Sequence, residues 1–113
     1  MKGLRTCIYK VSNLVDAKNW YAKAFGVNPY FDESYYVGFN IGGYELGLQE
    51  EGKSESIKGE NIHVLWGVDD IQDTFNHLIR LGASAHEKPY NVGGDLMVAT
   101  VKDPWDNIIG LLY

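Results

Sequence analysis

One pattern occurs twice in this chain, and that repeat limits its folds more than any other feature. The segment TCIYKVSNL, Thr6 to Leu14, aligns with HVLWGVDDI, His63 to Ile71, and each runs into a helical stretch that ends on a glycine. A repeat of about half the chain means one supersecondary unit built twice. With 113 residues, the chain has room for a single domain made of two such modules, about residues 1–52 and 60–113. The polar stretch EEGKSESIKGE, Glu50 to Glu60, is the natural linker.

Periodicity fills in each module. Leu4 to Val11 reads as a strand. Leu14, Ala17, Tyr21, Ala24 and Phe25 then recur at helical spacing, with Ser12 or Asn13 to cap the first turn and Gly26 to end the last. In the second module Ile62 to Val68 is strand-like. Asp69 and Asp70 offer an N-cap, Ile71, Phe75, Leu78 and Leu81 form the stripe, and Gly82 stops the helix. Hairpins follow. Val37 to Ile41 and Tyr44 to Gln49 flank Gly42-Gly43, a pair suited to a two-residue turn, while Leu96 to Val101 and Ile108 to Tyr113 flank DPWDN. Tyr30-Phe31 and Ser84 to Lys88 add one shorter strand each. The expected fold is α+β, βαβββ twice, with mostly antiparallel strands.

Strand alternation separates the two faces of each sheet. Val37, Phe39, Ile41, Tyr44, Leu46 and Leu48 share an apolar face that packs on the helices, joined by Cys7, Tyr9 and Val11 and, in the repeat, by Trp66. The other face carries Thr6, Tyr36, Asn40, Glu45, Gln49 and His63, together with Gly38, Gly47, Gly67 and Gly110. Glycines inside strands often mark close approach by a ligand or by another backbone, and four on one face read as a hollow. His77 and the pair His86-Glu87 share no ligand spacing with His63 and read as surface features. Cys7 reads as a buried, inert thiol.

Ten basic against fifteen acidic side chains leave a net charge of −5, so no basic footprint for nucleic acid or anionic membrane exists. One cysteine excludes an internal disulfide framework. No apolar run approaches the roughly 18 residues of a membrane span, and MKGLRTCIYK is not a signal peptide. The expected location is the cytoplasm.

The V-S-N-L and V-D-D-I helix entries, the helix end W-Y-A-K-A-F-G and the near-terminal DPWDNIIGLL together resemble the vicinal oxygen chelate superfamily of glyoxalase I, bleomycin-resistance proteins and extradiol dioxygenases. The resemblance covers nearly the whole chain; Asp106 stands where its DP-x-GN signature has glycine. It implies sheets curled into a cup, a homodimer, and metal ligands at the positions held here by Thr6, Gly47, His63 and Gly110. Of these only His63 is a good ligand, so no catalytic metal and no cofactor are expected. The leading expectation is a protein that binds a small organic molecule through Thr6, Tyr36, Asn40, Glu45, Gln49 and His63. The alternative is a glyoxalase-like lyase or isomerase with a reduced site, for which His63 and Glu45 are the catalytic candidates.

Overall fold

A computed structural model describes residues 1–52 and 57–113, so residues 53–56 of the linker stretch lie outside the described residues. The chain divides into two compact units, Met1–Ile57 and Lys58–Tyr113. In the first, the order is β1 (Thr6–Val11), α1 (Leu14–Phe25), β2 (Phe31–Glu33), β3 (Tyr36–Ile41) and β4 (Tyr44–Glu50). In the second it is β5 (Leu65–Gly67), α2 (Ile71–Arg80), β6 (Ser84–Gly93), β7 (Leu96–Lys102) and β8 (Ile108–Leu112). Each unit is thus βαβββ, and each carries one four-stranded sheet, ordered β1-β4-β3-β2 and β5-β8-β7-β6.

The sheets are mixed. β1 runs parallel to β4 and β5 parallel to β8, while the other pairs are antiparallel. The parallel pairs arise because a helix separates each first strand from the rest, and a crossover returns the chain in the same direction.

Local chemistry accounts for the helix limits. Asn13 caps α1 by accepting from the Asp16 amide at 3.0 Å, and Gly26 ends it with φ 69°. Asp70, the second of its pair, caps α2 through the Asp73 amide at 3.0 Å. α1 buries Leu14, Ala17 and Tyr21 against β3 and β4, with Tyr21 stacked between Tyr9 and Phe25 at 5.7 and 5.8 Å between ring centroids. α2 buries Ile71, Phe75 and Leu78 against its own sheet, over Val101, Ile109 and Leu111.

The Gly42-Gly43 hairpin has the expected register, Val37 opposite Leu48, Phe39 opposite Leu46 and Gly38 opposite Gly47. Both turn glycines have positive φ, 59° and 94°, as a two-residue turn of this hand requires. Tyr44 departs from the expected apolar face: beside the turn it has no layer above it and is exposed. Cys7 and Trp66 are half-buried where burial was expected.

Strand lengths differ more. β1 starts at Thr6 and not at Leu4, and β2 begins one residue late, Tyr30 keeping only a backbone bond to Gly38. β5 spans three residues where seven were expected, because it is paired only along β8, from Leu65 opposite Gly110 to Gly67 opposite Leu112. β6 is twice its expected length. Pro89 interrupts its pattern, but β6 is a sheet edge and its register slips between Glu87 and Tyr90, which accommodates the missing amide hydrogen.

Candidate functional site

The open face of the first sheet is ordered in rows by its register. Thr6, Glu45 and Asn40 stand side by side across β1, β4 and β3. Ile8, Gly47, Gly38 and Phe31 form the next row, and Lys10 and Gln49 pair beyond it. Five of the six expected ligand residues therefore lie on this one face.

Its centre is Glu45. The Tyr30 hydroxyl donates to one carboxylate oxygen and the Tyr36 hydroxyl to the other. Tyr30 stands just before β2 and Tyr36 opens β3, and the two rings converge by lying across the glycine row. A Cβ built on Gly38 would meet Tyr30 at 3.2 Å and Tyr36 at 3.3 Å; one on Gly47 would meet Cζ of Tyr36 at 2.7 Å. Glycine here makes room for the protein's own phenols. The hollow expected at Gly38 and Gly47 is filled from within the unit.

Charge follows from this geometry. The two phenol bonds hold Glu45 below its ordinary 4.5, with help from the Arg5 charge. Burial first, and then the carboxylate, push the Tyr36 hydroxyl far above its ordinary 10.0, and the bond to Glu45 raises Tyr30 as well. Beside Glu45 lies a cleft of about 180 Å³ lined by Arg5, Tyr30, Asn40 and Tyr44. Asn40 uses its side-chain oxygen to accept from the Gly43 amide at 2.8 Å. Cys7, on the other phase of β1, is raised above its ordinary 9.0 by burial, against a smaller pull from Tyr9.

His63 is exposed and lies two residues before β5, so the expected strand position for it does not form. The second unit instead assembles residues read as surface features. His86 is half-buried, with Nδ1 2.8 Å from the Thr100 hydroxyl and Nε2 3.0 Å from Glu60. Thr100 is fully buried and donates to Glu87 at 3.2 Å, and Lys102 reaches Glu60 at 3.2 Å. Lys102 first, and then His86, hold Glu60 below its ordinary 4.5. No periodicity announces such a cluster, since it joins two strands and the segment before β5; the only sequence signal is a His-Glu pair facing a threonine.

The turn after β7 is built by buried Asp103. One of its oxygens accepts from the amides of Trp105 and Asn107, each at 2.8 Å, and the other from the Asn107 side chain at 3.0 Å. Asp106 sits in this turn with φ 66°, the backbone state for which glycine is the natural choice. A family model for the Glyoxalase/Bleomycin resistance protein/Dioxygenase superfamily matches residues 3–111. The chain belongs to that superfamily.

Solved structures agree with the glyoxalase-type fold. The chain is similar to a glyoxalase-related enzyme from Fulvimarina pelagi, with TM-score 0.82 and 13% identity over 99% of this chain and 88% of that one. It is similar to a glyoxalase/bleomycin resistance protein from Albidiferax ferrireducens T118, with TM-score 0.79 and 19% identity over 96% and 97%. The fosfomycin resistance protein FosX from Mesorhizobium loti gives TM-score 0.76 and 16% identity over 99% and 92%. At these identities the likeness is one of fold. No match was found among curated proteins.

The metal that the superfamily's enzymes use does not fit these residues. The Tyr36 ring takes the space beside Gly47. At Gly110 a Cβ would meet Leu65 at 2.5 Å and the Val64 carbonyl oxygen at 2.6 Å. At Gly47 and Gly110, where the resemblance implies metal ligands, the chain has glycine with no room for a side chain as packed. Among the described residues, no three His, Cys, Asp or Glu side chains gather in a group able to hold a metal ion.

Proposed function

We propose that this protein binds a small organic molecule on the open face of its first sheet, without a catalytic metal. The observation that carries the reading is the cleft of about 180 Å³ beside Glu45, lined by the aromatic Tyr30 and Tyr44 together with Arg5 and Asn40. Thr6, Tyr36, Asn40, Glu45 and Gln49 share this face, and aromatic walls around a few polar groups are what organic ligands require.

The lyase or isomerase alternative finds less support. General acid–base chemistry at neutral pH needs groups whose pKa lies near 7. Here the carboxylate moves down and the phenols move up, both away from that range. A homodimer in the cytoplasm, with neither nucleic acid nor membrane as partner, completes the proposal; β2 and β6 are edges in their sheets that a second copy would protect. The test is elemental analysis and native mass spectrometry of untagged protein from its own host. A co-purifying organic molecule with no stoichiometric metal is the expected result. One tightly held zinc, nickel, manganese or iron per chain, lost in His63→Ala, would overturn it.

A further inference from the structure

We infer that the cleft beside Glu45 takes a zwitterionic head group of the α-amino-acid type, its ammonium on Glu45 and Tyr30 and its carboxylate on Arg5. This rests on the binding function proposed above and names the ligand class. The argument is one of donors and acceptors. A carboxylate offers about four lone-pair sites, and the two phenols use two of them. Each phenol spends its only hydrogen on Glu45, so Tyr30 turns an oxygen that can only accept toward any ligand. The Tyr30–Glu45–Tyr36 group is therefore rich in acceptors and has no hydrogen of its own to give. An ammonium, with three donors and no acceptor, is its complement.

The opposite charge stands in the same cleft. Arg5 lines it, is exposed, and makes no side-chain hydrogen bond among the described residues, so its planar fork of donors is open to a carboxylate. Across Glu45 from Arg5, on β3, the side-chain amide hydrogens of Asn40 add donors to the cleft, because its oxygen is already committed to Gly43. A simple anion would meet the Glu45 charge, and a simple cation the Arg5 charge. A head group carrying both signs meets neither penalty. The volume of about 180 Å³ suits such a head group and leaves the rest of the ligand over the exposed tyrosines.

Three probes with the same phenyl body separate the terms: L-phenylalanine, 2-phenylethylamine without the carboxylate, and 3-phenylpropanoate without the ammonium. Binding is read from NMR shifts of the tyrosine rings in the whole protein. The expected order is phenylalanine tightest, then the amine, with the acid weakest. Glu45→Gln should weaken phenylalanine by about 10-fold or more, consistent with loss of a charge-assisted hydrogen bond. Arg5→Gln should weaken phenylalanine several-fold while leaving the amine unchanged or tighter. Phenylpropanoate binding as well as phenylalanine, no effect of either variant, or no saturable binding of any probe would overturn the inference. Should Glu45→Gln not fold, the probe order and Arg5→Gln decide alone. A co-purified ligand lacking an ammonium would sink this inference and leave the binding function standing.

Discussion

The ring of Tyr36 lies over the bare Cα of Gly47, so that a side chain at 47 and the phenol at 36 exclude each other. Glycine at this point is a packing requirement of the tyrosine. Its backbone dihedrals are those of an ordinary strand residue. The same is true of Gly110 in the second unit, but there the neighbours include backbone, the Val64 carbonyl, beside the Leu65 side chain.

That difference predicts unequal costs. Gly47→Ala displaces a side-chain tip and should cost about 1 kcal/mol, the worth of one half-exposed hydrogen bond. Gly110→Ala has to move the strand entry before β5 and should cost about 2–3 kcal/mol, as overpacking against a fixed neighbour does. Urea midpoints of the two variants check the order, and tyrosinate absorbance should show Tyr36 titrating closer to its ordinary 10.0 only in Gly47→Ala.

The phenol–carboxylate cluster makes stability depend on pH at both ends. Glu45 is lowered in the folded state, so its contribution is present above 4.5 and is lost as pH falls through the folded value. Tyr30 and Tyr36 are raised, so theirs is complete below 10.0 and is lost as pH rises from there toward the folded values. Denaturation midpoints across pH should therefore fall on both limbs. Glu45→Gln should flatten both, and Tyr30→Phe with Tyr36→Phe should flatten the alkaline limb most.

Asp106→Gly should stabilise the protein. A non-glycine residue at φ 66° carries backbone strain, and relief is worth about 0.5–1 kcal/mol after the extra freedom of the unfolded glycine is counted. Asp103→Ala in the same turn should destabilise by about 2–4 kcal/mol, because three donors lose a buried acceptor together. Thermal unfolding should move in opposite directions for the two variants.

Thr100→Val keeps the shape of a buried position and removes its hydroxyl. His86 and Glu87 then lose a shared partner, and the expected cost is about 1–2 kcal/mol, since both can turn partly to water. Hydrogen exchange along β6 should accelerate more than along β8. Equal acceleration would mean that the bond holds no local structure.

Local physics is legible in the order of residues. A repeat, helical spacing, a capping Asn13 and Asp70, a terminating Gly26 and a Gly-Gly turn each act over a few neighbouring residues, and so both helices, the central hairpin and its face pattern could be read directly. The likeness to the superfamily rests on the V-S-N-L and V-D-D-I helix entries, W-Y-A-K-A-F-G and DPWDNIIGLL, and the family model over residues 3–111 shows the membership. Tertiary structure decided what depends on partners far along the chain. β5 is short and β6 long because a strand extends only where another strand pairs with it. Long side chains add reach that periodicity does not encode: Tyr30 and Tyr36 cross a glycine row to meet on Glu45, and His86 joins Glu60 to Thr100. Alternation along a strand assigns each residue a face, but only the assembled sheet determines whether a glycine there leaves a hollow or makes room for a neighbouring ring.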